Sequence, residues 1–392
     1  EDPTTSITIT WCTKTISESK IAYGLSEENM AVIKGQYGLL HRITISNLQP
    51  GTKYMYRIEG NPRFSQTYTF QTAPSPKNSQ QNIRFIVFGD TQNGGGLKTD
   101  NWGYPALLQA SKHHTYDLIM NLGDFCDQGN DLNSWYVTLS ETAKVASEKP
   151  LHVAVGNHDT GTNYMNDPDV KKVYPDDGAN FDYFFGYRYA HSDEEDEITP
   201  FRSKYYSFPY GNCLFLFLDT QNSKMAEPLN PQWRWLEQQL AKAAPNIWKI
   251  AFIHRDLVGI KQSPNRALNY DYDKFAQYFL PIFAKHGVDV VFQGHEHVYT
   301  CFQGAISGQK PYFPAANSVE KTKPITFITA GGGGDELRKN APIDYKSQGL
   351  ASVEYYEDTS HFLLVEVSLN GLKITARDAS NRIFHTVELS KK

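Results

Sequence analysis

The sequence lacks features that mark several common classes of protein. Only 4 of its 392 residues are cysteine, and no two of them form a C-x-x-C pair. This argues against a disulfide scaffold and a zinc ribbon. The longest apolar run spans six residues, 213–218, whereas a membrane-crossing helix needs about 20. Lys and Arg number 38 against 43 for Asp and Glu, so the basic excess typical of nucleic-acid-binding surfaces is missing.

The first residues show neither the charged segment nor the apolar segment of a signal peptide, and the sequence starts at Glu1. We expect a secreted or periplasmic protein whose signal peptide has been removed. The spacing of the cysteines fixes no disulfide pairing and leaves this expectation open. The composition, 40% hydrophobic and 21% charged, is that of a globular chain long enough for two or three domains. The oligomeric state is left open.

Residues 1–73 alternate apolar and polar positions in several short stretches, which is the period of half-buried β-strands. The stretch that includes Ile7, Ile9 and Trp11 is one example, and Pro50 with Gly51 gives a turn signal between two others. Short strands with regular turns predict a small all-β sandwich. A polar segment with two prolines, 72–81, follows and is predicted to be a linker.

From residue 83 the pattern changes to that of an α/β domain, which we expect to extend over 83–392. Apolar runs typical of strands covered on both faces alternate with helical segments. The predicted helices are 104–113, 130–148, 231–243 and 272–286. The predicted strands are 83–88, 117–122, 151–155, 213–218, 247–253, 288–292, 325–329, 361–369, 372–376 and 384–389. A long aromatic and acidic insert lies between His158 and Phe208.

Polar clusters follow five of the predicted strands. They contain Asp90 and Gln92, Asp124 and Asp127, Asn157 and His158, His254 and Arg255, and His295 and His297. The functional crevice of an open α/β sheet lies at the carboxyl ends of its strands, so the clusters are predicted to converge. Their carboxylate, amide and imidazole groups suit Zn, Fe or Mn. Each cluster alone has a plainer interpretation, since Gly-Asp is usually a turn and a lone histidine usually packs or faces solvent.

The order of the clusters resembles the motif series of the calcineurin-like metallophosphoesterases, D-x-(H/G), G-D-x-x-(D/Y), G-N-H-(D/E), a His after a strand, and G-H-x-H. The match runs from Asp90 to His297, and the glycine run 331–334 matches a late loop of that family. The N-terminal part is similar to the fibronectin type III-like module of purple acid phosphatases, at residues 9–11, 19–24 and 48–54. The resemblance implies a two-sheet α/β/β/α core preceded by the small all-β sandwich.

The resemblance also implies a centre of two divalent or trivalent metal ions, drawn from Fe, Zn, Mn or Mg. Asp124 is expected to bridge them. The other implied ligands are Asp90 and His297 for the first ion, and Asn157, His254 and His295 for the second. A metal-bound hydroxide would attack phosphorus, because two adjacent cations acidify water and neutralise phosphate oxygens. His158 is expected to face the substrate as general acid or phosphate donor.

Two positions depart from the purple acid phosphatase pattern. The second motif has Asp127 where those enzymes have tyrosine, so the colour of an iron–tyrosinate pair is expected to be absent. Asp127 is instead predicted to pair with His158 and favour its protonated, acidic form, with a surface turn as the alternative. The first motif has Gln92 where many relatives have histidine. Its neutral oxygen makes Gln92 an additional candidate ligand, at a first metal site that is expected to be looser than usual.

The predicted function is hydrolysis of a phosphate ester in a small phosphorylated substrate. A phosphomonoesterase of the acid phosphatase kind is preferred. A phosphodiesterase acting on a nucleotide or a lipid headgroup is the alternative, because the same core supports both and the insert at 159–210 is expected to set specificity. Arg255 could clamp a substrate phosphate, and a surface or ion-pair role suits its position equally. A non-catalytic binding protein is a third interpretation, which the complete ligand set disfavours.

Overall fold

The structure is a computed structural model that describes residues 2–61, 66–75, 82–93, 102–160, 178–186, 204–221, 227–259, 270–304, 323–334, 337 and 353–391. Most of the insert between His158 and Phe208 therefore lies outside the described residues. Within the described ranges the chain forms three β-sheets and five helices. All four cysteines are free thiols. Among the described helices, none is both long and apolar enough to span a membrane.

The N-terminal module is an antiparallel sheet built around one long ribbon. Its strands are β1 (Ile7–Gly24), β2 (Met30–Ile45), β3 (Lys53–Ile58) and β4 (Tyr68–Gln71), in the order β2-β1-β3-β4. The β1–β2 ladder is interrupted between Cys12 and Ser17. Apolar residues from both sides of the interruption, such as Trp11 and Ile21, share one core. Residues of β3 and β4, such as Tyr56 and Phe70, complete this core, and the predicted all-β character is confirmed.

The first of two larger sheets has six strands in the described residues. They are β5 (Ile83–Phe88), β6 (Leu118–Asn121), β7 (Leu151–Val153), β15 (His361–Val367), β16 (Gly371–Asp378) and β17 (Ile383–Ser390). Their order is β17-β16-β15-β5-β6-β7, with β5, β6 and β7 parallel. β15 pairs antiparallel with β5, so strands from the C-terminal part complete the sheet.

The second large sheet has seven strands in the described residues. They are β8 (Tyr206–Tyr210), β9 (Cys213–Phe217), β10 (Trp248–Ile253), β11 (Val290–Gln293), β12 (Tyr299–Gly304), β13 (Ile325–Ala330) and β14 (Val353–Glu357). Their order is β14-β12-β13-β11-β10-β9-β8. The four strands β9, β10, β11 and β13 run parallel, and β8, β12 and β14 are antiparallel to their neighbours.

From residue 104 onward the described residues contain five helices. They are α1 (Tyr104–Ser111), α2 (Leu132–Ala146), α3 (Ala179–Phe184), α4 (Pro231–Lys242) and α5 (Tyr270–His286). The sheets pack face to face, with the rings of Phe85 and Phe215 5.3 Å apart. The outer face of the six-stranded sheet packs on α1, and that of the seven-stranded sheet packs on α4 and α5. The predicted α/β/β/α layering is thereby confirmed.

Strand β5 shows why the sequence identified this core. Alternate side chains of a strand point to opposite faces. Phe85 and Val87 lie in the core between the sheets, whereas Ile86 and Phe88 pack with α1. Both faces are covered from Phe85 to Phe88, so this part of the strand is a continuous apolar run, whereas Arg84 near the start of the strand pairs with Glu366.

Four short elements escaped the sequence analysis: β8, β12, β14 and α3. β8 contains Pro209, which argues against a strand, but β8 lies at the edge of its sheet, where proline is tolerated. α3 is six residues long and rich in aromatic residues, which have only moderate helix propensity. It is stabilised by packing, since Phe181 and Phe184 contact the ring of Trp135.

Candidate metal centre

Six candidate ligands follow five strands whose carboxyl ends come together between the two large sheets. They are Asp90 after β5, Asp124 after β6, Asn157 after β7, His254 after β10, and His295 and His297 after β11. The six-stranded sheet therefore supplies oxygen donors, and the seven-stranded sheet supplies imidazole nitrogens.

Three of these residues surround the imidazole of His254, which is itself a candidate ligand. Its Nε2 lies 3.2 Å from Asp124 Oδ2, 2.9 Å from Asn157 Oδ1 and 3.3 Å from His295 Nδ1. Ligand-type atoms of Asp124, His254 and His295 all lie within 4.8 Å of one another. The structure thus brings together the ligands predicted for the second ion and the carboxylate predicted to bridge.

Hydrogen bonding fixes which nitrogen of His254 faces this group. Nδ1 donates to the carbonyl oxygen of Leu122 at 3.0 Å, which leaves Nε2 directed at Asp124. Such a partner holds a metal-binding imidazole in one tautomer. Burial lowers the pKa of His254, but the carboxylates of Asp124 and Asp90 together outweigh burial and raise that pKa above its ordinary value. Burial raises the pKa of Asp124, but His254 and His158 outweigh it and hold this pKa far below its ordinary value.

The residues predicted for the first ion form a second group. His297 Nε2 lies 3.5 Å from Asp90 Oδ1 and 3.3 Å from the amide nitrogen of Gln92. All three side chains are buried. Asp90 also accepts the backbone N–H of His295, and the backbone N–H of Gln92 donates to the carbonyl oxygen of Asp124. The two groups are therefore joined by main-chain hydrogen bonds.

The spacing and the donor chemistry of both groups suit cations. Two ligand atoms that share an octahedral ion lie roughly 3 Å apart, and the contacts above span 2.9–3.5 Å. Within the described residues, Gln92 Oε1 is a buried acceptor without a hydrogen-bond partner. A buried polar atom in that state is costly unless an ion or a water satisfies it. The residues present therefore fit metal ions, and Gln92 stays a candidate oxygen ligand.

Three of the candidate ligands hold left-handed backbone conformations. The φ angle is 55° at Asp90, 48° at Asp124 and 66° at His295. This region is uncommon for residues other than glycine, and such strain concentrates at functional sites where the surroundings enforce it. A partial signal was present in the sequence, because each of the three directly follows a glycine.

Two glycines allow neighbouring loops to approach the ligands. A Cβ atom on Gly156 would lie 2.3 Å from Asp124 Oδ1, and one on Gly331 would lie 2.8 Å from Asp90 Oδ2. Contacts that short force something to move, so a side chain at either position would displace a candidate ligand. The glycine run 331–334, which matched a late loop in the sequence, thus lies directly against the site.

Asp159 is a functional residue to which the sequence analysis gave no role. Its carboxylate accepts the backbone N–H groups of Phe125, Cys126 and Gly156. It therefore ties the loop after β6 to the loop after β7 and holds Asp124 and Asn157 in place. Burial and the nearby Asp124 raise the pKa of Asp159 to about 7. Its position directly after His158 was the available signal, but an acidic residue there does not reveal that it binds main chain.

His158 and Asp127 are in contact, mainly through the main chain of Asp127. Nδ1 of His158 lies 2.7 Å from the carbonyl oxygen of Asp127 and 3.8 Å from its carboxylate. The bond that orients the ring is therefore made to the backbone, with the carboxylate as a second, longer contact. Nε2 lies 3.9 Å from Asp124 Oδ2, and the side chain is 19% exposed. His158 is thus close to the ligand group and still reachable by solvent.

Arg255 is anchored beside the end of β9. Its Nε donates to Gln221 Oε1 at 3.0 Å, and its backbone N–H donates to Thr220 Oγ1 at 2.9 Å. The side chain is half-buried. These bonds give it a fixed place next to His254, and a role in binding phosphate stays a prediction.

Comparison with known proteins gives two family matches. Residues 83–299 match the family described as calcineurin-like phosphoesterase, and residues 1–72 match the purple acid phosphatase N-terminal domain. The chain is 26% identical over 332 residues to acid phosphatase type 7 of Homo sapiens, which covers 75% of this chain and 67% of the human protein. It is 24% identical over 378 residues to probable inactive purple acid phosphatase 1 of Arabidopsis thaliana, covering 88% of this chain and 55% of that protein.

A solved structure with a similar fold is that of purple acid phosphatase PPD1 from seeds of yellow lupin, Lupinus luteus. The TM-score is 0.78 over 100% of this chain and 73% of the lupin chain, at 18% sequence identity. A likeness at this identity shows the fold alone. The chain spans between about half and two thirds of the two curated relatives named above, and one of them is named as probably inactive. Activity therefore has to be argued from the site.

Proposed function

Because the chain belongs to the calcineurin-like phosphoesterase family, we propose that it is a phosphomonoesterase that uses two metal ions. The chain is a metallophosphoesterase of the purple acid phosphatase-like kind. The observation that carries the proposed two-metal centre is the convergence of oxygen donors from one sheet and imidazoles from the other, with a solvent-reachable histidine beside them.

The proposed ligand assignment follows the two groups. Asp90, Gln92 and His297 would hold the first ion, Asn157, His254 and His295 would hold the second, and Asp124 would serve both. Gln92 is assigned to the first ion because its amide nitrogen lies 3.3 Å from His297 Nε2, which places the amide beside that ligand. Its Oε1 is buried and has no hydrogen-bond partner within the described residues, so this oxygen is available to an ion. Bound ions would neutralise phosphate oxygens and acidify a water molecule.

His158 is the proposed proton donor to the leaving oxygen. The Asp127 carbonyl engages Nδ1, so Nε2 is the nitrogen left to face the substrate. The backbone N–H of His158 donates to Asp124 Oδ1 at 2.7 Å, which fixes the histidine relative to the bridging carboxylate. Proton donation by a residue placed in this way contributes about 10²–10⁴-fold to a rate. The role proposed for Asp127 is to hold this ring, mostly through its carbonyl oxygen.

Two other functions are kept as alternatives. A phosphodiesterase would use the same ligands, and the segment expected to decide between esters lies mostly outside the described residues. A non-catalytic binding protein is supported by the name of the Arabidopsis relative, a probable inactive purple acid phosphatase. The full set of ligand-type residues and the strained backbone at three of them argue against a decayed site.

The test is to measure the metal content of the purified protein and then to assay a monoester and a diester over a range of pH with Mn, Zn, Fe and Mg. We expect two metal equivalents, faster hydrolysis of the monoester, and no visible band of an iron–tyrosinate pair. Two metals with a faster diester reaction would select the phosphodiesterase. Two metals with neither reaction would select the binding protein, and protein that cannot bind metal would refute the proposed centre.

The division of the chain is also a proposal. We place an N-terminal module at 1–73 and the catalytic domain at 83–392, and the ends of the two family matches, at 72 and 83, support this division. The secreted or periplasmic location stays a prediction from the sequence.

A further inference from the structure

The N-terminal module contacts the catalytic domain at helix α3, within the insert that we expect to set specificity. Nη2 of Arg42, on β2, donates to the carbonyl oxygens of Tyr183 at 2.9 Å and Phe184 at 3.2 Å. The last carbonyl groups of a helix lack partners within the helix, and an arginine is well suited to satisfy them. A Cβ atom on Gly186 would lie 2.8 Å from Nη1, so the guanidinium lies directly over the end of α3.

Apolar packing strengthens the same contact. Cys12 on β1 and Leu40 on β2 pack against a cluster that includes Trp135, Phe181 and Phe184. The cluster also contains Phe125 and Cys126, which directly follow the proposed bridging ligand. The module is therefore in contact with the support of the active-site loop, although it contributes none of the candidate ligands.

Helix α3 in turn holds the loop that follows Asp124. Asn180 Nδ2, from α3, donates to the carbonyl oxygen of Gly129 at 2.7 Å, and Trp135 Nε1 donates to the same oxygen at 2.8 Å. A Cβ atom on Gly129 would lie 2.2 Å from the carbonyl oxygen of Asp159, so the loop fits closely against the third motif. Movement of α3 would release one of the two donors that fix Gly129.

The loop reaches His158 through two further hydrogen bonds. The backbone N–H of Gly129 donates to the carbonyl oxygen of His158 at 2.8 Å, and His158 Nδ1 donates to the carbonyl oxygen of Asp127 at 2.7 Å. Both the main chain and the ring of the proposed proton donor are thus held by residues 127–129. A continuous series of contacts joins Arg42 to His158 through α3 and this loop.

We propose that Arg42 is a positioning residue for His158, and that the N-terminal module is therefore a working part of the active site. The inference rests on the proposed function in one respect, the role of His158 as proton donor. Arg42 acts only through α3 and the loop. Its loss should therefore weaken proton donation and leave the metal ligands in place.

The test compares Arg42→Ala and Arg42→Lys with Arg57→Ala as the matched control. Arg57 lies on β3 of the same module and pairs with Glu59 at 2.9 Å, so its removal also deletes one partly exposed arginine. Each variant is assayed with an alkyl phosphate and a nitrophenyl phosphate, and its metal content is measured. An alkyl ester needs a proton on its leaving oxygen and a nitrophenyl ester hardly does.

For Arg42→Ala we expect kcat on the alkyl ester to fall about tenfold, part of the 10²–10⁴-fold that a general acid supplies. We expect a clearly smaller loss on the nitrophenyl ester and unchanged metal content. Arg42→Lys keeps the charge but not the forked geometry, so it should lie between wild type and Arg42→Ala. Arg42→Lys also keeps the proposal testable if Arg42→Ala does not fold. Equal losses on both esters, loss of metal, or behaviour like Arg57→Ala would overturn the proposal.

Hydrogen exchange distinguishes failure of this proposal from failure of the proposed function. In Arg42→Ala the amides of residues 125–131 should exchange faster, while those of β6 keep their wild-type rates. Wild-type protein without phosphatase activity would refute the proposed function, and faster exchange at 125–131 would still support positioning by Arg42. Unchanged exchange at 125–131 would refute positioning, whatever the activity.

Discussion

The two large sheets contribute differently to the candidate metal centre. The loops of the six-stranded sheet carry carboxylate and amide oxygens, and the candidate ligands of the seven-stranded sheet are all imidazoles. Oxygen donors suit Mg and Mn, whereas imidazole suits Zn and Fe. The centre therefore combines two kinds of ligand chemistry, and packing of the two sheets brings them together.

The six-stranded sheet also orients the ligands of its partner. Leu122, at the end of β6, accepts the hydrogen bond that fixes His254, and Asp90 accepts the backbone N–H of His295. Two of the three left-handed ligand positions, Asp90 and Asp124, lie on this sheet. Substitutions among the candidate ligands of the six-stranded sheet should therefore weaken binding of both ions. Substitutions among the histidines of the seven-stranded sheet should weaken binding of one ion.

The largest expected effect tests this asymmetry directly. Asp124→Ala should abolish binding of both ions, because one carboxylate serves both, and should lower hydrolysis at least about 10³-fold, since metal ions supply several kcal/mol. His295→Ala should remove one ion. Metal analysis after gel filtration gives both counts, with Glu388→Gln, a substitution of an exposed acidic residue on β17, as the control. Two ions retained in Asp124→Ala would contradict the bridge.

The next effect separates the proton donor from the ligands. His158→Ala should lower the rate on an alkyl phosphate by about 10²–10⁴-fold and on a nitrophenyl phosphate by clearly less, with both ions still bound. Asp127→Asn should have only a mild effect, because the carbonyl oxygen that holds the ring remains. Steady-state assays with both esters measure the difference. Equal losses would assign His158 to phosphate binding, and metal loss in Asp127→Asn would place Asp127 among the ligands.

A smaller effect is expected at Gln92, which gives the first site its third oxygen donor. Gln92→Ala should lower the affinity for one ion by about 10–100-fold, the range typical of losing one group that supports a metal. Gln92→His replaces the amide oxygen with a nitrogen and should shift that site toward Zn. Titration calorimetry with Mn and with Zn measures both. Unchanged affinity in Gln92→Ala would mean that its buried oxygen faces water rather than an ion.

The smallest effect concerns the interface between the sheets. His152 on β7 stacks on Phe208 of β8 with the ring centroids 4.1 Å apart, and burial lowers the pKa of His152 to about 3. In the unfolded chain His152 takes up a proton near pH 6.5, whereas in the folded chain it stays neutral until the pH approaches 3. The free energy of unfolding should therefore fall as pH drops from about 6.5 toward 3. Urea denaturation at several pH values should show that the free energy of unfolding of His152→Phe falls less steeply with decreasing pH than that of the wild type. An unchanged dependence on pH would contradict this assignment.

The sequence predicted the core strands and the convergence of the polar clusters for a physical reason, whereas the two-sheet layering and the metal-ligand assignments came from the resemblance to the family. Strands covered on both faces are largely apolar, so β5 and its parallel neighbours were visible as apolar runs. Polar residues directly after such strands can only lie at their carboxyl ends, which located Asp90, Asp124 and Asn157. The histidines after β10 and β11 followed by the same argument.

Other features depend on contacts that no local pattern records. Helix α3 forms against Trp135, which lies more than one element away in the chain. The orientation of His158 depends on a main-chain carbonyl, and side-chain types cannot predict it, which is why a carboxylate partner was expected. The buttressing role of Asp159 is hidden likewise, because backbone N–H groups are present at every residue.

The pairing of β5 with β15 has a consequence for biosynthesis. β15 pairs with β5 from Ile83 to Val87, and the backbone N–H of His361 at its start donates to the carbonyl oxygen of Gly332 in the glycine-rich loop beside Asp90. A ribosome must therefore synthesise the chain from β5 as far as β15 before the strand that precedes Asp90 gains its second neighbour. Until then the nascent chain presents one open edge of β5, the kind of surface that aggregates unless it is shielded. The first ligand to be synthesised is thus among the last to reach its final surroundings.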